Sequence, residues 1–503
     1  MIRFFLTTTF FFFCLSSPAI AQLGGEPTGD SMQAVATAGA DLLGASILNT
    51  TKNPAVLPFV LPVGADDWQV DSVLRLLKTD ARISALDGGS YSLDDTLVAA
   101  PWLAIGHRID DAMWFSFAVV PTSGAKGSID RMVDLNIMLE DDGDPLTEDP
   151  AVRHLVNQSV DIQQVALEPS LAWQLSPDFS FGFGLSLRTT TLNMSGGTDS
   201  PFSDLKGFLP DDDPLRTIFG YDTWGDALEG FLSGGDRAID DYHVDFLADA
   251  SNAAMQVFLK FGGAWQVNPQ TRLGFWYRPM SNMSDIVGQT TVDMSADLGA
   301  FTSVLEDMLG LEDGYYLDDP TSDFDFRVRD IRLPQQAGLS TSSQLNNGDI
   351  MHFSAVWTDW SQSFDGWVAT LSNPSNEQFA GFIGGDGTLT MDMDMKWRDT
   401  VSMSLGWERN LSSQLTLRSG LGWSRNPMQG SWMASSTPFN ELHLAGGLAY
   451  RASSKGMPDF FISTVIALPQ KENAGENLVL SDLSGDRYSQ WHGSLALGLS
   501  WRW

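Results

Sequence analysis

Acyl-transfer chemistry needs a histidine held beside a serine or cysteine and an orienting acid. The histidines of this chain, His107, His154, His243, His352, His443 and His492, are scattered through the sequence. No Gly-x-Ser-x-Gly elbow accompanies them. Convergence of such groups in space, as in a barrel lipase or protease, stays open as an alternative. Cys14, the single cysteine, lies in a leader expected to be removed, so the mature chain has no thiol, disulfide or cysteine metal site. No catalytic residue, metal ligand or cofactor is assigned. Net charge is −34, from 29 basic and 63 acidic residues, which excludes a nonspecific nucleic-acid binder. The acidity gathers in runs such as Glu140-Asp141-Asp142-Gly143-Asp144, Asp211-Asp212-Asp213 and Asp318-Asp319. These read as solvated loop surface, or more sharply as sites where divalent cations bridge to anionic outer-leaflet lipid.

The elements that must carry this surface begin with an export signal. Arg3 gives a basic start, Phe4 to Leu15 an apolar stretch, and Ala19-Ile20-Ala21 a small-x-small cleavage pattern, so residues 1–21 read as a signal peptide. Cys14 lacks the small residues of a lipoprotein box before it. Later in the chain no segment supplies the ~20 apolar residues of a transmembrane helix. Charged residues are only 18%, aromatics 11%, with 47 Gly and 17 Trp, and an exported chain of that kind crosses lipid as a closed barrel.

Period-two alternation supports this. Trp491, Gly493, Leu495, Leu497, Leu499, Trp501 and Trp503 share one parity, while His492, Ser494, Ala496, Gly498, Ser500 and Arg502 share the other. One set suits lipid and the other a small, polar lumen. The aromatic end at Trp503 resembles the signal read by the outer-membrane assembly machinery. The pattern recurs at 180–188, 401–408 and 415–423. Similar segments lie near 66–76, 98–109, 112–124, 160–176, 252–267, 270–296, 324–346, 348–372, 437–453 and 457–470, which predicts an all-β transmembrane barrel of about 14 antiparallel strands. Short turns at 108–111, 176–178, 268–269, 346–348, 411–413 and 453–456 alternate with long segments near 125–159, 195–251 and 297–323, as periplasmic turns and outer loops do. Two long loops carry helical spacing: Leu298, Phe301, Val304, Leu305, Met308 and Leu309 in one. Leu215, Ile218 and Phe219, then Trp224, Leu228, Phe231 and Leu232, form the other. They read as an apolar docking surface, or as helices packed on each other over the barrel mouth. Residues 22–62, rich in Ala and Gly over Ala34 to Ala45, are too irregular for lipid-facing strand and suit a plug inside the lumen of a barrel over 63–503.

That plug and the strands after it resemble the FadL/TodX family of outer-membrane hydrophobe transporters. The motifs that carry the resemblance are Asn53-Pro54-Ala55, similar to the family's hatch motif, and Trp357-Thr358-Asp359-Trp360-Ser361-Gln362, similar to its Thr-x-Trp-Ser-Gln. Pro334 and Ser180-Phe181-Gly182-Phe183-Gly184 add weaker points. The resemblance implies a 14-stranded barrel, an N-terminal hatch and helical outer loops after the fifth and seventh strands. It implies diffusion rather than catalysis: capture of a hydrophobic small molecule by the loops, here Trp224, Phe231, Phe301, Met308 and Leu309. Exit is then sideways through a gap at a kinked third strand, for which Pro121 to Gly124 are the candidates. The third strand's proline is also readable as a simple strand end. The family's carboxylate-binding Arg and Lys fall near Gly196 and Trp367, neither basic. Arg188, Lys260 and Arg278 share the lumenal parity and are candidate substitutes, but a pocket without the matched cations is expected to prefer neutral hydrophobes such as aromatic hydrocarbons, or long-chain fatty acids only once protonated. A general porin is the remaining alternative. Outer-membrane lipid and lipopolysaccharide are the surroundings expected for such a protein.

Overall fold

Strands whose side chains alternate between apolar and small or polar types pair into a sheet with two unlike faces. The computed structural model describes residues 22–23, 26–27, 29–64, 66–84, 90–92, 97–134, 153–232, 241–363, 367–393, 397–427, 441–452, 456–473, 485 and 487–503, and in it these strands close into one antiparallel barrel. The first six are β1 (Trp68–Ser84), β2 (Leu97–Arg108), β3 (Met113–Asp134), β4 (Arg153–Ser176), β5 (Phe179–Pro201) and β6 (Asp241–Asn268). The next four are each interrupted: β7 (Thr271–Arg278, Ile286–Asp293), β8 (Thr321–Arg329, Gln336–Gln344), β9 (Ile350–Thr358, Trp367–Ser372) and β10 (Leu389–Met393, Thr400–Asn410). β11 (Leu415–Ser424), β12 (Leu442–Tyr450), β13 (Asp459–Asn473) and β14 (Arg487–Arg502) complete the wall. β14 pairs with β1 from Arg502↔Gln69 to Arg487↔Ser84, which closes the circle. Taking each interrupted strand as one, and the short Ser90–Ser92 run as the outer piece of β2, the described residues form fourteen strands, the number the sequence period predicts.

The two faces separate as the alternation requires. On β14, Leu495, Leu497 and Leu499 point outward and are exposed, while His492, Ser494 and Ala496 are buried. Trp68 stacks beside Trp503, and Trp501 meets Trp503 at a tilt, at the short-turn rim where interfacial aromatics belong. Several strands run beyond their expected ends: β5 reaches Pro201 and β6 starts at Asp241. Stretches such as Thr189-Thr190-Thr191 keep pairing without apolar alternation, so no sequence period marks them. The leader 1–21, the Glu140–Asp144 run and the turn at 453–455 lie outside the described residues.

The interruptions of β7 to β10 fall at one height. Pro279 follows the first run of β7 and Pro334 precedes the second run of β8, and each removes a ladder donor. Pairing resumes on both sides, β7 with β8 and β8 with β9 above and below the break.

Residues 29–62 pack against inward-facing residues around the wall. They form helix α1 (Met32–Ala36), 3-10 turns at Ile47–Thr51 and Pro54–Val56, and helix α2 (Leu57–Val60). Ser404 of β10 donates to the Ala38 carbonyl at 2.7 Å and Ser354 of β9 to that of Gly39 at 2.9 Å. Trp114 of β3 donates to the Leu61 carbonyl at 2.8 Å and Ser180 of β5 to that of Ala55 at 2.6 Å. Strand glycines give the segment its room. A Cβ on Gly420 would stand 2.2 Å from the Thr37 carbonyl carbon, and one on Gly182 2.4 Å from the Ala55 nitrogen.

Gly420→Val should therefore destabilise the seat of this segment by about 1–3 kcal/mol, as overpacking does. Hydrogen exchange over residues 32–40 checks it, and protection equal to the wild type would contradict the contact.

Candidate functional site

The Asn53-Pro54-Ala55 turn anchors the floor. Asn53 Oδ1 accepts from the Ala55 N–H at 3.0 Å and Asn53 Nδ2 donates to the Gly263 carbonyl at 3.1 Å. Its side chain is fully buried, so these bonds satisfy groups that water cannot reach.

Above the floor lies a layer of buried charge. Lys260 of β6 pairs with Glu168 of β4 and donates to the Thr50 and Thr51 carbonyls at 3.4 and 3.2 Å. Ser186 of β5 donates to Glu168 at 2.5 Å. All three lysine donors thus end on Glu168 and the N-terminal segment. Arg188 donates to Ser186 at 3.0 Å and to Gln164 at 3.3 Å, and its guanidinium lies 4.6 Å from the Phe258 ring centre. The Arg278 guanidinium lies 4.7 Å from the same ring. Both arginines are buried. Phe258 between Gln256 and Lys260 shares their lumenal parity, which was the readable sign of its place. Its two guanidinium partners come from other strands and left no local trace.

The wall beside this layer is incomplete. β2 and β3 pair from Arg108↔Trp114 to Leu103↔Val119 and, among the described residues, no further. β2 nevertheless continues to Leu97 on β1, and β3 to Asp134 on β4. On the β4 side the ladder runs past Pro121↔Val165 and Gly124↔Gln163 with only an irregularity at Thr122. From the sequence, pairing is expected to break near Pro121 to Gly124; a strand has two edges, and among the described residues the edge toward β2 has lost its partner there while the edge toward β4 keeps its own. Extending the register one pair beyond Trp102 and Val120 would set Pro101 against Pro121, two residues that cannot donate. Pro101 was missed by sequence reasoning because its relation to Pro121 exists only once the register is known. Val98, Ala100, Trp102 and Val120 line the inner side and are buried.

The outer end is capped by helices α3 (Pro214–Phe219), α4 (Trp224–Leu232), α5 (Ala300–Leu309) and α6 (Glu377–Ile383). Asp213 and Asn376 cap α3 and α6. Trp224 joins three loops: it stacks on Phe382 at 4.0 Å and meets Tyr316 edge-on at 4.9 Å. Gly207 and α6 touch backbone to backbone, with the Gly207 N–H donating to the Phe382 carbonyl at 2.9 Å. Tyr316 donates to Asp213 at 3.2 Å. Burial, then the Asp213 carboxylate, raises the Tyr316 phenol above its ordinary range, so it remains a donor.

Of the five residues expected to collect ligand, Trp224 and Phe301 lie in the cap's core, at 5% and 3% exposure. Phe231 and Leu309 are partly buried against that core, and Met308 is exposed at 69%. Packing of the helices on each other took the residues on their inner faces. The exposed apolar surface instead comprises Met308 with Phe208, Ile218, Phe219 and Tyr315. Helix α6 was also missed, although Asn376 before Phe379, Phe382 and Ile383 has the cap and spacing of a short helix. Asp211 pairs with Arg216 at 2.7 Å, and Asp318 and Asp319 line an open polar groove.

A closed antiparallel barrel with an apolar outer band, aromatic rim and buried inner face defines an outer-membrane protein. Residues 147–474 match the family described as outer membrane protein transport protein (OMPP1/FadL/TodX), and the chain belongs to it. It is therefore a transport protein and not an enzyme. The fold is similar to that of the Pseudomonas putida toluene transporter TodX, with TM-score 0.65 and 14% identity over 94% of this chain and 99% of that one. A Pseudomonas aeruginosa FadL homologue gives 0.63 and 16% over 95% and 99%. The Ralstonia pickettii toluene transporter TbuX gives 0.60 and 16% over 94% and 98%. No curated protein sequence matches the chain.

Trp224→Ala should cost the cap about 3–5 kcal/mol, the range for a buried aromatic. Faster proteolysis within 205–232 and 300–320, with the barrel still folded, is the expected result. Unchanged cleavage would show that the loops do not depend on this residue.

Proposed function

We propose that this chain carries neutral hydrophobic molecules into the outer membrane, taking them up at the helical cap and releasing them sideways between β2 and β3. The observation that carries the proposal is the end of the β2–β3 ladder at Leu103↔Val119, beside Pro101 and Pro121, where Val98, Ala100, Trp102 and Val120 line the inner side with the buried Arg75 guanidinium 4.7 Å from the Trp102 ring centre. An apolar solute gains nothing from a water-filled axial pore, whereas an opening toward lipid offers it favourable solvation. Residues 1–21 act as the export signal and 63–503 as the barrel, assembled by the outer-membrane machinery among lipid and lipopolysaccharide. In this reading residues 22–62 act as a hatch, which speaks against a general porin. Lys260 is committed to Glu168 and two carbonyls, leaving Arg188 and Arg278 as candidate contacts for a carboxylate. Burying a carboxylate without a dedicated partner costs several kcal/mol, and this favours neutral ligands. The toluene transporters that share the fold fit that preference.

The test is an Ala100→Cys/Thr122→Cys variant, which flanks the gap and keeps both prolines, since the sequence after the leader has no other thiol. Bridging the pair with a short bis-maleimide should abolish uptake of labelled toluene in cells lacking their own transporter, while the unbridged variant takes it up. Full uptake after bridging would rule out the sideways exit. In the same cells, long-chain fatty acid uptake at neutral pH should be weak. Strong uptake that is lost in Arg188→Ala would overturn the preference for neutral ligands.

A further inference from the structure

At the short-turn end, three side chains from distant parts of the chain converge. Asp41 comes from the N-terminal segment, His352 from β9 and Glu408 from β10, each with one potential ligand atom within 4.8 Å of the others. The strand register explains the pairing on the wall. Ile350 stands opposite Glu408 and His352 opposite Gly406, so His352 and Glu408 are diagonal neighbours on one inward face. Gly406 lets the N-terminal segment approach, since a Cβ there would lie 2.7 Å from the Thr37 side chain. Gly44 makes room in turn for the Asp41 carboxylate, whose oxygens lie 2.4 and 2.6 Å from where its Cβ would stand.

Among the described residues, three polar atoms of Asp41 and His352 have no hydrogen-bond partner. Asp41 is 2% exposed and His352 is 4% exposed. Asp41 Oδ1 and both ring nitrogens of His352 make no hydrogen bond. Buried donors and acceptors are almost always satisfied, so an orphaned Asp41 oxygen beside an orphaned His352 ring nitrogen requires an explanation. His352 Nδ1 and Asp41 Oδ1 are 3.5 Å apart. Two ligands each about 2.0–2.1 Å from a zinc ion, at the tetrahedral angle, stand roughly 3.4 Å apart. Arg418 holds Glu408 Oε2 at 2.6 Å, which orients the carboxylate and leaves its other oxygen for coordination.

We propose that Asp41, His352 and Glu408 bind one divalent transition-metal ion of the zinc class, which fastens the N-terminal segment to the β9–β10 wall. One imidazole and two carboxylates suit a borderline ion such as Zn2+, and three protein ligands leave a position for water. Two carboxylates and a neutral imidazole match its charge. The site is distinct from the layer of Lys260 and Arg188 and does not depend on what the protein transports.

The whole protein, solubilised in detergent and stripped with chelator, should take up one Zn2+ per chain by calorimetric titration. Co2+ in its place should give visible d–d absorption. Asp41→Asn and His352→Ala should each weaken binding by at least about 10–100-fold, the loss typical even of partners one shell further out. His107→Ala, at the rim, should bind as the wild type does. Heat-modifiable migration on gels reports whether each variant barrel is folded. Chelation should raise hydrogen exchange over residues 36–46 in the wild type but not in His352→Ala. Absence of stoichiometric Zn2+ and Co2+ uptake by the wild type would overturn the proposal and leave an imidazole–carboxylate contact. Equal binding by both folded ligand variants would overturn it as well.

Discussion

Inside lipid, every backbone N–H and C=O must find its partner within the protein, because the hydrocarbon offers none. The rest of this structure follows from that demand. It forces the first and last strands together, β1 against β14 over their full described length. It also makes the end of the β2–β3 ladder informative, since an unpaired edge at that depth needs a reason. Proline supplies one on each strand, because a residue without an N–H leaves no donor to satisfy. The same economy operates on the far side, where Pro279 and Pro334 stand at the break shared by β7 to β10.

Closing the wall fixes an interior that must be filled without leaving polar groups stranded. The inner face is built from glycine, alanine and serine because a folded segment, rather than long side chains, occupies the floor. Serine hydroxyls from β5, β9 and β10 meet carbonyls of residues 38–55 that have no partner within their own short turns. One group of buried charge is mutually compensated: Glu168, Lys260 and Ser186 form one unit, and its ties to Thr50 and Thr51 make floor and wall interdependent. The attraction within a buried pair of this kind is largely offset by the cost of taking both charges out of water.

The outer cap obeys a different rule. There water is available, so loops survive by burying apolar area among themselves. Trp224, Tyr316 and Phe382 come from three separate loops and meet at ring distances of 4.0 and 4.9 Å. Their mutual burial leaves Phe208, Ile218 and Met308 on the outside, where isolated apolar side chains can meet a hydrophobic solute. Both ends of the barrel are therefore organised by contacts between segments far apart in the chain.

The sequence by itself determined the barrel, its strand number and which side chains face lipid, because a strand's period of two is a local property written into every segment. Residues 180–188 and 491–503 displayed it without reference to anything else. It also placed α3, α4 and α5, whose three-and-four spacing is equally local, and it marked residues 22–62 as a piece unlike the rest. Only the tertiary structure decided the register, and with it everything that depends on two strands at once. Pro101 became meaningful through its position relative to Pro121, Lys260 was claimed by Glu168, and Trp224 and Phe301 turned inward because other loops covered them. Asp41, His352 and Glu408 share no spacing that a reader could recognise. Their meeting is set by how far the N-terminal segment reaches across the lumen, and no run of neighbouring residues encodes that distance.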